Sequence, residues 1–162
     1  MSLTESLQED MKTGMRSGDT LKRDTLRMVI AAVQNQAKDK RAPLTDQETT
    51  DVITREVKKR RESIDAYQKA GRDDLADGEQ TEIEVLTPYL PEQLDEETVR
   101  GLVTKAVADS GATSARDMGK VMKLLMPEVK GRADGKLVSG LVVQELAKAD
   151  LAAHDGHGPD EA

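Results

Sequence analysis

The 162-residue sequence contains no cysteine, no phenylalanine and no tryptophan, and Tyr67 and Tyr89 are its only aromatic side chains. Without cysteine there are no disulfides, no thiolate nucleophile and no Cys-ligated zinc or iron–sulfur centre. Without large rings the core is left to Leu, Val, Ile, Ala and seven Met. The scarcity of aromatic strand formers favours helices. No apolar run approaches the roughly 20 residues of a membrane span, and the opening MSLTESLQED is acidic and lacks the apolar stretch of a secretion signal. The expectation is a soluble cytoplasmic protein without membrane association. The only two histidines, His154 and His157, lie in the polar, Gly-containing end of the chain with no third ligand close by. They read as surface residues of a disordered tail over 149–162, not as metal ligands.

What is present is charge, unevenly spread. The net charge is −7, which argues against generic nucleic-acid binding, yet residues 112–148 carry seven Lys+Arg against four Asp+Glu, while 71–111 carry three against eleven. Apolar residues recur at helical spacing nearly throughout, and no stretch alternates with period two, so an all-α, multihelical fold is predicted. Ser2 with Glu5 and Thr45 with Glu48 have the spacing of capping boxes, as does Ser114 with Asp117. Asp19, Asp95 and Asp134 can cap further helices, and Gly18, Gly71, Gly111 and Gly131 can end the preceding ones. Within the third helix, REVKKRR resembles an RNA-binding stripe. At about 100° per residue, however, Arg55, Lys58 and Lys59 face away from Ile53 and Val57, whereas Arg60 and Arg61 flank the apolar side. Those two arginines are expected to lie over the core margin and pair with carboxylates. The dense acids Asp73, Asp74, Asp77 and Glu79 read as a solvated helix face instead of a divalent-cation site.

The segment PYLPEQL is the clearest boundary, because Pro88 and Pro91 cannot donate backbone hydrogen bonds and push Thr87 and Leu90 out of helix. It separates an N-terminal helical subdomain, 1–90, from a smaller three-helix one, 91–148. In the second subdomain Met118, Met122 and Met126 recur every four residues, as core filling does. The stretch KGRADGKLVSG looks at first like a phosphate loop. It has three residues between Gly131 and Gly135 where a Walker A loop has four, Leu137 where the magnesium hydroxyl belongs, and no strand before it. It reads as a helix stop at Gly131, an N-cap at Asp134 and a first turn at Gly135. Lys130, Arg132 and Lys136 are then left crowded around a helix N-terminus, where anions are favoured.

LRMVIAAVQN, KKRRESIDAYQKAGRDDLADGE, YLPEQL and DMGKVMKLLMPEVKGRADGKLVSGLV occur here in this order. Together, over residues 1–148, they resemble the YqeY family, which is similar to the C-terminal tail of GatB, the tRNA-binding subunit of glutamine-dependent tRNA amidotransferase. The resemblance implies an all-helical protein of two subdomains, with family motifs at Met118, Gly119, Lys120 and Met122 and at Lys130, Gly131, Arg132, Asp134 and Gly135. It also implies proximity to a tRNA body. The family's association with carbon–nitrogen ligase activity using glutamine as amido-N-donor belongs, in the larger enzyme, to a separate catalytic domain. Amidotransfer requires carboxylate activation by ATP, a phosphate cradle and a magnesium site, and the sequence offers none. A non-catalytic module without cofactors is therefore expected, touching tRNA phosphates through Arg116, Lys120, Lys123, Lys130, Arg132 and Lys136. Neither tyrosine lies in this segment, so base stacking is not available to it. The alternative is a protein adaptor docking on an amidotransferase or another translation protein.

Overall fold

A computed structural model describes residues 1–155. The described residues contain helices and turns but no strand, as the periodicity predicts. They fall into two compact units, one from Met1 to Pro91 and one from Glu92 onward.

The first unit holds α1 (Leu3–Ser17), α2 (Thr20–Lys40), α3 (Asp46–Lys69) and α4 (Asp73–Leu86), followed by a 3-10 turn at Thr87–Tyr89. Local chemistry sets the helix ends. The Ser2 hydroxyl accepts from the Glu5 N–H and the Glu5 carboxylate accepts from the Ser2 N–H, each at 3.1 Å, and Thr45 and Glu48 repeat the exchange at the start of α3. Asp19 accepts from the Lys22 N–H at 3.1 Å, so α2 begins two residues after α1 has ended. That reversal brings the helices together at Gly14, where a Cβ would lie 3.2 Å from the Arg23 nitrogen and 3.3 Å from the Asp19 carbonyl oxygen. Leu7, Leu26, Val29, Val52, Ile53, Val57 and Leu86 fill the core at 3% exposure or less. Complete burial of side chains of this size contributes roughly 1.5–3 kcal/mol each. On α4 the buried residues are Ala76, Ile83 and Leu86, whereas Leu75 is 39% exposed.

The C-cap of α2 departs from the pattern. Arg41 occupies the left-handed region at φ 62°, the single non-glycine residue to do so among those described. Its N–H donates to the carbonyls of Ala37 and Lys38, so the ladder closes, but the Cβ strains the backbone. Arg41→Gly is expected to raise stability by about 0.5–1 kcal/mol. Thermal or urea denaturation would show this as a higher midpoint at unchanged m.

The second unit holds α5 (Glu96–Ser110), a 3-10 turn at Ala115–Asp117, α6 (Met118–Val129) and α7 (Gly135–Asp155). Val99, Val103, Val121, Leu125, Val138, Val142 and Leu146 form its core at 1% exposure or less. Asp95 caps α5 at 2.7 Å from the Thr98 N–H; hydrogen bonds from the Thr98 side chain and backbone hold its carboxyl below the usual range. Two expectations are corrected here. Ser114 and Asp117 do not form a capping box, because the 3-10 turn carries Asp117 back over Thr113, whose N–H it accepts at 2.9 Å. Residues 149–155, expected in a disordered tail, continue α7, with His154 on its exposed surface 3.5 Å from Asp150; 156–162, including His157, lie outside the described residues.

Candidate nucleic-acid interface

α6 presents the buried row Val121, Leu125 and Val129 to the core of the second unit. Met118 and Met122 pack beside that row, as core filling would, whereas Met126 is 40% exposed. At 100° per residue, Lys120 and Lys123 point the opposite way, into solvent. Arg116 is exposed in the 3-10 turn before α6, and Lys130 is exposed one residue after its end. Lys120 lies 3.7 Å from Asp117, an exposed i,i+3 pair of the kind that contributes little. Within α6 the only acidic residue is Glu128, which falls on the flank toward α5. Arg116, Lys123 and Lys130 thus edge a helix about 18 Å long, and no carboxylate lies on its outer face. Pro127 is accommodated within the helix because it and Lys123, whose carbonyl loses its donor, are both exposed.

The KGRADGK turn is differently employed. Gly131 is left-handed at φ 74°, as its position as a helix stop predicts, and Asp134 accepts from the Lys136 N–H at 3.2 Å while its carbonyl takes the first α7 bond from Val138. Gly135 is the first residue of α7 and Gly119 is exposed on α6. Arg132, expected to face an anion, instead donates from Nε to the Glu92 carbonyl at 3.2 Å and from Nη1 to the Glu128 carbonyl at 3.3 Å. Its own carbonyl accepts from the Leu94 N–H at 2.8 Å, and Gln93 Nε2 donates to the Gly131 carbonyl at 2.9 Å. Three of these bonds clasp residues 92–94 to 131–132, and the fourth, to Glu128, ties Arg132 back to the end of α6. Lys136 lies in the first turn of α7 and is exposed. The geometry therefore gathers Arg116, Lys120, Lys123 and Lys130 along α6 and assigns Arg132 to the clasp.

Sequence reasoning missed Glu92, Gln93 and Leu94. The sign was there in PEQL: an extended segment directly after a proline must find partners for its backbone donors elsewhere. Among the described residues no three His, Asp or Glu side chains are grouped so as to hold a metal ion, and no helix is long and apolar enough to cross a membrane.

Two compact units whose described residues form helices and turns without strands, the second presenting a basic helix edge, define a class of small helical modules. The chain belongs to the YqeY family of YqeY-like proteins, whose pattern it matches over residues 4–146. It is similar to the mitochondrial protein called altered inheritance of mitochondria protein 41 from Pyrenophora tritici-repentis, at 32% identity over 146 residues, covering 88% of this chain and 80% of the relative. The proteins of that name from Eremothecium gossypii and Candida glabrata are 38% and 35% identical, over 52% and 62% of this chain. Those alignments span only 46% and 56%, about half, of the relatives themselves. These names correct the cytoplasmic expectation, since the relatives are mitochondrial proteins. The expectation rested on missing cysteines, secretion signal and span, and none of these distinguishes the cytoplasm from the interior of an organelle.

Proposed function

We propose that the chain is a non-catalytic helical module that contacts tRNA phosphates along the outer edge of α6. The observation that carries this reading is the placement of Arg116, Lys123 and Lys130 in solvent beside a helix face without carboxylates. Lys120 is shared with Asp117, and Arg132 is engaged with backbone carbonyls, so both contribute less than the sequence suggests. The resemblance to the GatB tail supports tRNA as the polyanion, and the absence of aromatic rings from the segment supports phosphate and shape contacts over base stacking.

Titrating a labelled tRNA transcript with the protein across a salt series tests the reading. Micromolar binding is expected, with about two to three phosphates neutralised and a log–log salt slope near −0.7 to −0.9 for each. Changing Arg116, Lys123 and Lys130 together to Ala should weaken binding by about tenfold or more and flatten the slope, with the far-UV circular dichroism unchanged. Parent protein that binds no tRNA, or a triple variant that binds as well as the parent, would return the adaptor reading to first place.

A further inference from the structure

Beside the basic edge of α6 lies a face of different character. Leu124 is 48% exposed on α6, at the rim of a groove of about 200 Å³ between α5 and α6. Leu102, Ala106 and Leu125 form the apolar floor of the groove, and Lys105, Asp109 and Glu128 stand around it. Lys120, Leu124 and Glu128 are spaced by four residues, so they form one i±4 ridge along the helix. The ridge carries a cation at one end, an apolar knob in the middle and an anion at the other end. With Lys105 and Asp109 the face sums to two cations and two anions, so it is neutral on a chain of net charge −7. Copies of a chain with that net charge repel at long range, and a locally neutral face adds no repulsion of its own where two of them meet.

We propose that this face binds a second copy of the chain across a two-fold axis passing beside Leu124. Antiparallel pairing of α6 about residue 124 sets position 124+k against 124−k of the other copy. Leu124 then meets Leu124, and both Lys120 residues meet the opposing Glu128. In an isologous contact each surface must be complementary to itself, and the order Lys, Leu, Glu at equal spacing meets that condition. The groove beside the ridge receives the opposing Leu124 over Leu102 and Ala106. The pair of Lys120 with Asp117 does not compete strongly, because it is exposed and 3.7 Å long. The area is about three turns of one helix and the rim of a groove, less than the ~800 Å² per partner of a standard interface. The dimer is therefore weak, with a dissociation constant on the order of 100 μM.

Sedimentation velocity of the full chain from about 5 to 500 μM, a range bracketing that constant, tests the proposal. The parent should pass from monomer to dimer across the range. Lys120→Glu and Glu128→Lys should each weaken the dimer at least tenfold, because each reversal sets like charges together twice. An equimolar mixture of the two single variants should form a heterodimer, because every crossed pair is again Lys with Glu, and the double variant K120E/E128K should recover the homodimer. Leu124→Asp should leave only monomer. A parent that stays monomeric at every concentration overturns the proposal and leaves the face to a different partner. A dimer indifferent to the charge reversals overturns it too, because the contact then lies elsewhere. These readouts involve no RNA, so the tRNA reading stands or falls separately.

Discussion

Arg60→Ala is expected to destabilise the first unit by about 3–5 kcal/mol, the largest effect of any single polar substitution in that unit. Arg60 is 4% exposed, with Nη1 3.1 Å from Glu56 and Nε 3.3 Å from Glu82, and Nη1 also donates to the Glu56 carbonyl at 2.9 Å. It joins α3 to α4. Removing it leaves Glu82 without its cation and Glu56 with only the exposed Lys59, 3.3 Å away, at the margin of the core. Glu79 aggravates the loss: burial, and then the charge of Glu82, already hold its carboxyl above the usual value, while Arg60 opposes that rise. An acid with a raised folded-state pKa binds more protons folded than unfolded, so its contribution to stability declines as pH increases above the unfolded value. The Arg60→Ala variant should accordingly regain part of its stability as pH falls from 7 toward 5 and Glu79 takes up its proton. Adding Glu82→Gln should cost clearly less than the sum of the two single changes, because one of the stranded charges is then gone. Urea denaturation at the two pH values measures all of this; a loss below about 1 kcal/mol, the scale of a surface pair, would show that the pair is solvated and the unit is held by its apolar core alone.

The same run of residues shows how far the sequence could be read. REVKKRR was divisible by helical angle alone, and that division took Arg60 toward carboxylates; Glu56, four residues earlier on the same helix, lay within reach by spacing, whereas Glu82 could not be known because it lies on a different helix. Ser2, Thr45, Asp19 and Asp95 were legible for the same reason in reverse. Their hydrogen bonds close within three residues, so spacing and residue type suffice. Failures occurred where a local signal had a competitor. Ser114 and Asp117 have the spacing of a capping box, but a 3-10 turn changes the rise per residue, and Asp117 serves Thr113 instead. Arg41 adopts a conformation that its residue type gives no reason to expect. On the basic side of the second unit, every cation was visible in the sequence, but an arginine facing an anion and an arginine facing carbonyls look alike until the chain's return is known.

That distinction decides the outcome at the KGRADGK turn, where Lys130→Ala and Arg132→Ala are expected to behave in opposite ways. Lys130 is exposed, so Lys130→Ala should change stability by no more than about 0.5 kcal/mol. Arg132→Ala removes two charge-assisted bonds to backbone carbonyls, those of Glu92 and Glu128. Bonds of this kind contribute about 1.5–3 kcal/mol each when sheltered, and these lie at the surface, where water can replace them in part. A loss of about 2 kcal/mol is therefore expected, confined to the second unit. Arg132→Lys should recover only a fraction of it, because a single ammonium on a flexible stem cannot span two carbonyls as the planar fork does. Hydrogen exchange locates the effect: amides of α5 and of the C-terminal turn of α6 should lose protection in Arg132→Ala, as should the Leu94 N–H, which donates across the clasp. Those of α1 to α3 should be unchanged. If Arg132→Ala leaves the protection of Leu94 and the stability of the second unit unaltered while weakening tRNA binding with a flattened salt slope, the side chain belongs to the RNA contact and the clasp is incidental. If stability falls and Lys130→Ala alone alters the salt slope, the two neighbouring cations have separate duties: Arg132 holds the turn, and Lys130 reaches the phosphate.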